Sequence, residues 1–278
     1  MAEVTAATVQ SLRQRTGLPM MDCKRALQET GGDADKAVEL LRKAGAKTME
    51  KRAGRSTLFG RIGVYTDFAA GVATMVDLRC ESAPVAGSPE FVGLANDMAR
   101  QLATGPGAAA PEALLSQPSP SKPSQTLQQQ FEDLNNRIRE AFKVERIVRI
   151  DAPCGGYVHH SGTVGVLLRV EGGNPDLARD ICMHIAAMRP SVVAKEELDP
   201  AQLEKEREIL SEAARSEGKP EKIIAKMVEG RLKDFYLERC LLEQPHANRE
   251  KYNNQTIGQL AKEAGMKILG FVHWEIKE

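Results

Sequence analysis

The chain has 278 residues, enough to bury a sizeable core and to form more than one packed unit. Its 38 basic and 38 acidic residues cancel, so no global field draws it to a phosphate backbone or an anionic membrane, and neither nucleic acid nor lipid is an expected partner. Five scattered cysteines (Cys23, Cys80, Cys154, Cys182, Cys240), odd in number and without a Cys-x-x-Cys pair, argue against a disulfide framework and indicate no zinc site.

At the N-terminus no apolar run follows a basic stretch, and Glu3 is present, so neither a signal nor a transit peptide is expected. No window approaches the roughly 20 apolar residues of a membrane span, and the chain reads as cytoplasmic. Residues 1–45 read as three short helices. Val4, Val9 and Leu12 give the first an apolar stripe, and Gly17 ends it in the left-handed conformation. DCKRALQE makes a second, stopped at Gly31-Gly32, and Asp33 caps a third whose Ala37, Val38, Leu40 and Leu41 face inward before Gly45. So small a bundle buries little, which points to the presentation of a surface. Residues 46–60, basic and polar in AKTMEKRAGRST, read as a linker or an exposed helix.

From Ile62 the period becomes strand-like. GVYTDFAAGVATMVDLRC reads as a hairpin: a strand to about Phe68, a turn at Ala69-Ala70-Gly71, then Val72, Met75, Val76 and Leu78. The helix FVGLANDMARQLA completes a first core unit, residues 61–103. Residues 104–128, rich in Pro, Ser, Ala and Gly, read as a mobile insertion or linker. Residues 129–278 form a second unit that echoes the first. Within GYVHHSGTVGVLLRVEGG, Tyr157 falls opposite Tyr65 and Val164 opposite Val72; in DLARDICMHIAA, Leu177-Ala178 answer Leu94-Ala95 and Asp180 answers Asp97. Hairpin then helix, twice, predicts a duplicated α+β core with antiparallel sheets. Between strand and helix the first copy carries ESAPVAGSPE where the second has only EGGNPD, and a loop lengthened in one copy is a candidate functional element.

Residues 199–242 predict a projecting helical hairpin with a coiled-coil-like seam. Asp199 caps, Pro200 starts the helix, and Leu203, Leu210 and Ala214 line one side; after Gly218 and Pro220 follow Ile223, Ile224, Met227, Val228, Leu232 and Phe235. IGQLAKEAG gives a last helix and KILGFVHWEI a last strand.

These segments, in this order, resemble the elongation factor Ts family, exchange partners of the GTPase elongation factor Tu. LRQRTGLPMMDCKRAL, GYVHHSGTVGVLL, ARDICMHIAAMRP, and KEREIL through GKPEKIIAKMVEGRLKDFYLERCLLEQP carry the match, with GQLAKEAG in support. It spans nearly the whole chain and fails mainly over the Pro/Ser-rich stretch. The resemblance implies a ubiquitin-associated-like three-helix module, a duplicated α+β core and a projecting hairpin. It also implies a guanine-nucleotide exchange factor in translation elongation, with elongation factor Tu as partner, no cofactor and no enzymatic chemistry of its own.

In the family a Thr-Asp-Phe-Val motif follows a strand that ends in a Cys-Glu type pair. Here Cys80-Glu81 are followed by Ser82, Ala83, Pro84 and Val85, with Ala86 next. Thr66-Asp67-Phe68 instead fall on the hairpin turn, matched in the second copy by Val158-His159-His160, and are not the motif. The resemblance implies that the motif's aspartate and phenylalanine press toward the partner's magnesium and phosphate site, and Ala83 and Pro84 offer neither carboxylate nor ring. A rigid proline can still wedge by shape. Glu81 next door, or Asp67-Phe68 from the neighbouring turn, are two conceivable repairs, although the ordinary use of a turn Asp-Phe is a capping carboxylate beside a half-buried ring.

The resemblance further implies gripping residues Arg13, Met20, Met21 and Lys24 in the N-terminal module, and Tyr157, His159 and Gly162 in the GY-x-H turn. The methionines are expected on an inter-helix loop, where they pack adaptably on a partner or else fill the small core; Arg13 and Lys24 have simple solvation as the alternative. His159-His160 lack a third ligand for zinc. His184 reads as a core or boundary residue. The hairpin seam reads as internal packing, with the tip near Gly218-Lys219 a further contact. No catalytic or metal-binding residue is expected. The altered motif leaves open a paralogue that holds the GTPase with weak or no exchange. A hydrolase using His159, His160 or Cys154 is the third reading, and no Gly-x-Ser-x-Gly elbow, Gly-rich phosphate loop or spaced ligand set supports it.

Overall fold

The computed structural model describes residues 4–218 and 220–277; Glu3 and Lys219, named above, lie outside them. Three helices open the chain. In α1 (Ala6–Thr16), Thr5 and Thr8 form a capping box, and Gly17 closes the helix at φ 69°. α2 (Met20–Glu29) starts directly after Pro19, and α3 (Ala34–Arg52) is capped by Asp33, whose carboxylate accepts from the N–H groups of Asp35 and Lys36 at 3.1 Å each. Val9, Leu12, Cys23, Ala26, Leu27 and Ala37 make their small core.

The third helix does not stop at Gly45, as expected, but runs to Arg52. One glycine costs a helix about 1 kcal/mol, which the following Ala, Lys, Met and Glu residues outweigh. The glycine serves packing: a Cβ there would lie 2.2 Å from the side chain of Asn136 in α7 (Leu127–Ile138).

The first sheet has the order β1-β2-β3, all antiparallel, from β1 (Phe59–Asp67), β2 (Val72–Cys80) and β3 (Lys143–Ile150). A single turn, α4 (Ala83–Ala86), follows β2 and leads into α5 (Pro89–Thr104), which covers the sheet. Two boundaries therefore move. Residues 129–150 belong to the first unit rather than to the second, because α7 packs into its core and β3 pairs with β2.

Residues 104–128 are also built into this unit. α6 (Pro111–Leu115) buries Leu114 completely, Leu127 is buried beside it, and the intervening chain is tied by Ser119 N–H to the Gln125 carbonyl (2.9 Å) and Ser119 Oγ to Gln130 Oε1 (2.8 Å). Pro111 occupies the first turn of a helix, where its missing N–H costs nothing. Two buried leucines at roughly 2 kcal/mol each are enough to hold a segment of loop-like composition.

The second sheet, order β4-β5-β6, is antiparallel as well: β4 (Cys154–Val158), β5 (Val164–Glu171) and β6 (Lys267–Glu275). α8 (Pro175–Met188) covers it. The hairpin of α9 (Pro200–Ser216) and α10 (Glu221–Arg239) leaves next, zipped by Ala214, Ile224, Val228 and Leu232, and the chain returns through α11 (Arg249–Tyr252) and α12 (Ile257–Glu263). The architecture is α+β.

Both sheets approach their covering helix through a glycine. A Cβ on Gly63 would lie 2.2 Å from the Ala95 carbonyl oxygen of α5, and one on Gly155 would lie 2.5 Å from the Ala178 backbone of α8. The two sheets also pack on each other, around Ile62, Ala73, Met75, Cys154, Leu167 and Ile276. There a Cβ on Gly165 would sit 2.6 Å from both Ile62 and Met75. A backbone bond crosses this seam, from Ile62 N–H to the Gly162 carbonyl at 2.8 Å, whereas the Ile276 N–H, which donates to the Thr163 carbonyl at 2.8 Å, extends the β5–β6 pairing within the second sheet. Beside it Asp77, fully buried, accepts from Arg79 and Arg146, and Arg146 lies 4.4 Å over the Trp274 ring.

His184 lies in the core of the second unit. The Ala247 N–H donates to its Nδ1 at 3.1 Å, so its proton sits on Nε2 and is donated to Gln244 Oε1 at 2.8 Å. A second proton would face a donor. Burial holds the pKa of His184 down to about 4, and burial also lowers that of His246 beside it.

Two stability tests follow from these contacts. Gly63→Ala and Gly155→Ala force backbone apart and should each lower stability by about 2–3 kcal/mol in urea unfolding at unchanged slope. Gly230→Ala, in α10 with open space around it, should raise it by about 0.5–1 kcal/mol. For His184 the folded pKa lies below the unfolded value near 6.5, so its contribution is complete above pH 6.5 and is lost as pH falls toward 4, on the order of 3 kcal/mol in all. His184→Gln should flatten the stability–pH slope between pH 6.5 and 5.

Candidate functional site

The motif position lies at the end of β2, where the strand leaves the sheet. Ser82 stands at the N-cap of α4, yet its hydroxyl does not cap the turn. It donates to Glu140 Oε1 at 2.6 Å, and the Ser82 N–H donates to Glu140 Oε2 at 3.1 Å. Ala83 and Pro84 are exposed at the apex, and Val85 turns back to pack against the first core. The result is a blunt, uncharged tip with a polar tether behind it and an apolar plug below it.

The residues proposed as repairs have other engagements, and Asp67-Phe68 do not neighbour the tip: Asp67 pairs with Val72 at one end of the β1–β2 hairpin, and Phe59 with Cys80 at the other. Glu81 accepts from the Ala141 N–H at 2.6 Å and pairs with Arg55 at 3.3 Å. Asp67 accepts from the Ala70 N–H at 2.9 Å within its turn, and Phe68 is half-buried against the core of the second unit, so it staples the two units together.

In the N-terminal module Arg13 and Lys24 are exposed, and so are Met20 (46%) and Met21 (62%). The methionines are not on a loop. They open α2, because Pro19 fixes the chain at the N-cap and the helix begins with the very next residue. Neither fills the module's core, which leaves two polarizable side chains on the surface.

In the second unit Tyr157 donates from or accepts at its hydroxyl to His159 Nδ1 at 3.0 Å. The turn after it closes through Gly162 N–H to the His159 carbonyl (2.8 Å), with Gly162 at φ 78° and the Arg61 side chain filling the place of a Cβ. Tyr157 and His159 flank a concavity of about 360 Å3 whose other walls are Val164, Met183, Ala186, Ala187 and Arg189. Among the described residues no group of three or more His, Cys, Asp or Glu side chains is placed to hold a metal ion. Cys154 is buried, and burial pushes its thiol up to about 11, which removes the thiolate that nucleophilic chemistry needs. No helix among the described residues is long and apolar enough to cross a membrane.

A loop not singled out in the sequence joins these parts. Arg139 ends α7 at φ 68° and pairs with Asp22 in the first turn of α2, next to Met21. Glu140 holds Ser82, the Glu140 carbonyl accepts from Asn135 Nδ2 at 2.7 Å, and Ala141 is bound by Glu81. The methionine turn and the Ala83-Pro84 tip are therefore both fastened to residues 139–141. Glu140 lies 58 positions from Ser82. Only the β2–β3 pairing, Arg79 opposite Lys143, brings them together, and no local pattern announces that pairing.

The family model described as elongation factor TS matches residues 81–278. The chain belongs to the elongation factor Ts family. Elongation factor Ts of Thioalkalivibrio sulfidiphilus is 39% identical over 278 residues, covering 99% of this chain and 92% of the relative. That of Kineococcus radiotolerans is 38% identical over 280 residues (99% and 98%), and that of Thermobifida fusca 37% over 282 (99% and 99%). Membership makes the chain a translation elongation factor, and the matched residues include the whole tip from Glu81 onward.

The geometry separates surface from scaffold, and stability reads the difference. Met20→Ala and Met21→Ala should stay within about 0.5 kcal/mol of wild type. Glu81→Ala, which strands a backbone N–H and a guanidinium, should cost about 1–3 kcal/mol, and Phe68→Ala about 2 kcal/mol. Thermal midpoints of the four variants check the ordering.

Proposed function

We propose that this chain is a guanine-nucleotide exchange factor that binds elongation factor Tu in its GDP form and promotes GDP release. The observation that carries the reading is the anchored tip: an exposed Ala83-Pro84 apex at the family's motif position, tethered at Ser82 and plugged at Val85. An exchange factor makes and breaks no covalent bond in its partner, so it is not an enzyme in that sense. It binds the vacant GTPase more tightly than the loaded one, and by linkage nucleotide and factor weaken each other by the same factor. Coupling of about 1–3 kcal/mol is typical of allostery, and a tightly held nucleotide asks for more. That demands a broad grip together with a part that deforms the phosphate pocket.

Arg13, Met20, Met21 and Lys24 on one side and Tyr157, His159 and Gly162 on the other supply the grip in this reading, and the tip supplies the deformation. With no carboxylate or ring at its apex, the tip acts by volume. The three-helix module with its minimal core fits a ubiquitin-associated-like presenter of Met20 and Met21. The matched glycine approaches at Gly63–Ala95 and Gly155–Ala178 support a core built from two copies of one unit. Residues 199–242 then form a two-helix coiled coil projecting from the second copy. A chain of zero net charge working with a translational GTPase acts in the cytoplasm and needs neither nucleic acid nor membrane.

The blunt apex also favours a second reading, a paralogue that holds the GTPase without releasing nucleotide. Release of a fluorescent GDP analogue from elongation factor Tu, with the chain at substoichiometric amounts, separates the two. Exchange predicts acceleration, with Met20→Ala/Met21→Ala raising the half-saturating concentration and Pro84→Gly lowering the maximal rate, each about tenfold. A wild type that binds without accelerating, while Ala83→Asp/Pro84→Phe gains release, makes the chain a holder. Absence of binding overturns both.

A further inference from the structure

We propose that Glu140 is the positioning residue of the exchange tip, acting through Ser82; the inference rests on the exchange reading above. A serine at a helix N-cap ordinarily turns its hydroxyl onto the N–H of the second or third helical residue. Ser82 makes no such bond. Its hydroxyl and its own N–H both point away from the turn and meet the two oxygens of one carboxylate, at 2.6 and 3.1 Å. A local cap has been exchanged for a two-point tether to another part of the chain.

The tether's far end is itself fixed. The Glu140 carbonyl accepts from Asn135 at 2.7 Å, the next N–H, of Ala141, donates to Glu81 at 2.6 Å, and the preceding Arg139 is held by Asp22. Three consecutive residues thus carry four contacts to three different elements. None of these contacts reaches the apex, so the loop leaves Ala83 and Pro84 free to meet a partner.

The need for such an anchor follows from the apex chemistry. A carboxylate disturbs a metal site through its field, and an aromatic ring has a large face to press with. Alanine and proline have neither, so this tip transmits only the force its mounting resists. An isolated four-residue turn has no stability of its own, because nucleation fixes several dihedrals for a single hydrogen bond. Pro84 stiffens the turn from within and Val85 pins it from below. Glu140 holds the start of the turn, at Ser82. The charge-assisted bonds it accepts are the stronger kind available to a partly buried serine.

The test uses the full chain with Glu140→Ala, Glu140→Gln, Ser82→Ala and the Ser82→Ala/Glu140→Ala double variant. Two readouts are taken: GDP release from elongation factor Tu, resolved into maximal rate and half-saturating concentration, and amide hydrogen exchange of residues 82–87 in the free chain. Glu140→Ala should lower the maximal rate about tenfold and leave the half-saturating concentration within about twofold, because the gripping residues are untouched. Ser82→Ala should behave alike, and the double variant should be no slower than the worse single one. Glu140→Gln, which keeps acceptor geometry for one of the two donors, should fall between, and it provides the folded control should the alanine variant unfold. Amide exchange across 82–87 should quicken at least tenfold in Glu140→Ala, with α1, α2 and β5 unchanged. Additive losses in the double variant, a change confined to the half-saturating concentration, or unaltered amide exchange would each overturn the proposal while leaving the exchange reading intact. A wild type that does not accelerate release overturns both.

Discussion

The contact on which the rest of this molecule depends is the face-to-face seam between its two three-stranded sheets. Gly165 lets β5 lie against Ile62 and Met75 at a distance no side chain would allow, and a backbone hydrogen bond crosses from one unit to the other beside it. It ends on Gly162, at the turn that carries His159. The position of that turn is therefore referred to β1, and β1 is paired residue for residue with β2, which ends at the tip. A docking surface drawn from two units behaves as one body only if such a seam is stiff. Close packing of fully buried side chains against a glycine backbone gives stiffness, because a dense interior leaves them no room to move.

Stiffness matters because of what exchange requires thermodynamically. A surface that grips loaded and vacant GTPase equally well shifts nothing, however tightly it binds. The useful part of the binding energy is the part realised only when the nucleotide pocket is deformed. In the exchange reading proposed above, Met20 and Met21, exposed and adaptable, suit the common grip, and the tip supplies the difference. Separating adaptable from rigid parts is the physical logic of this surface. On that reading, methionines stand where accommodation is harmless, and a proline between two anchored neighbours, Ser82 and Val85, stands where accommodation would waste the strain.

How much of this the sequence disclosed follows from how far apart the interacting residues lie. Helices, strands and the two hairpin-then-helix runs were legible because their signals are local: period, cap and turn residues. Gly17, Asp33 and Asp199 act within four positions of themselves. The placement of residues 104–128 was not legible, since composition marked them as loop while Leu114 and Leu127 bury themselves in a core made by other elements. Gly45 misled for a related reason. A glycine within a helix reads as a stop, but its use is to admit Asn136 from 91 positions away, which no local rule detects. The tip was found by its place after Cys80-Glu81, whereas its tether was invisible, because the pairing of β2 with β3 alone brings residues 82 and 140 together.

The tripeptide Thr66-Asp67-Phe68 shows why position outranks letters. Asp67 spends its carboxylate on the Ala70 N–H and Phe68 spends its ring on the other unit's core, so neither is free to act as a finger. Glu81 is committed in the same way, to Ala141 and Arg55. Beside the apex the Glu81 carboxylate is committed, while Asp67 and Phe68 lie at the far end of the β1–β2 hairpin, so the apex is left with small, rigid residues. A tip of this kind gains nothing from electrostatic attack on a bound metal ion, and it loses little to salt screening, since no charge sits at its point. Under the proposed exchange reading its action is steric, and steric action rewards anchorage, so the groups behind Ala83 and Pro84 matter as much as the two residues themselves.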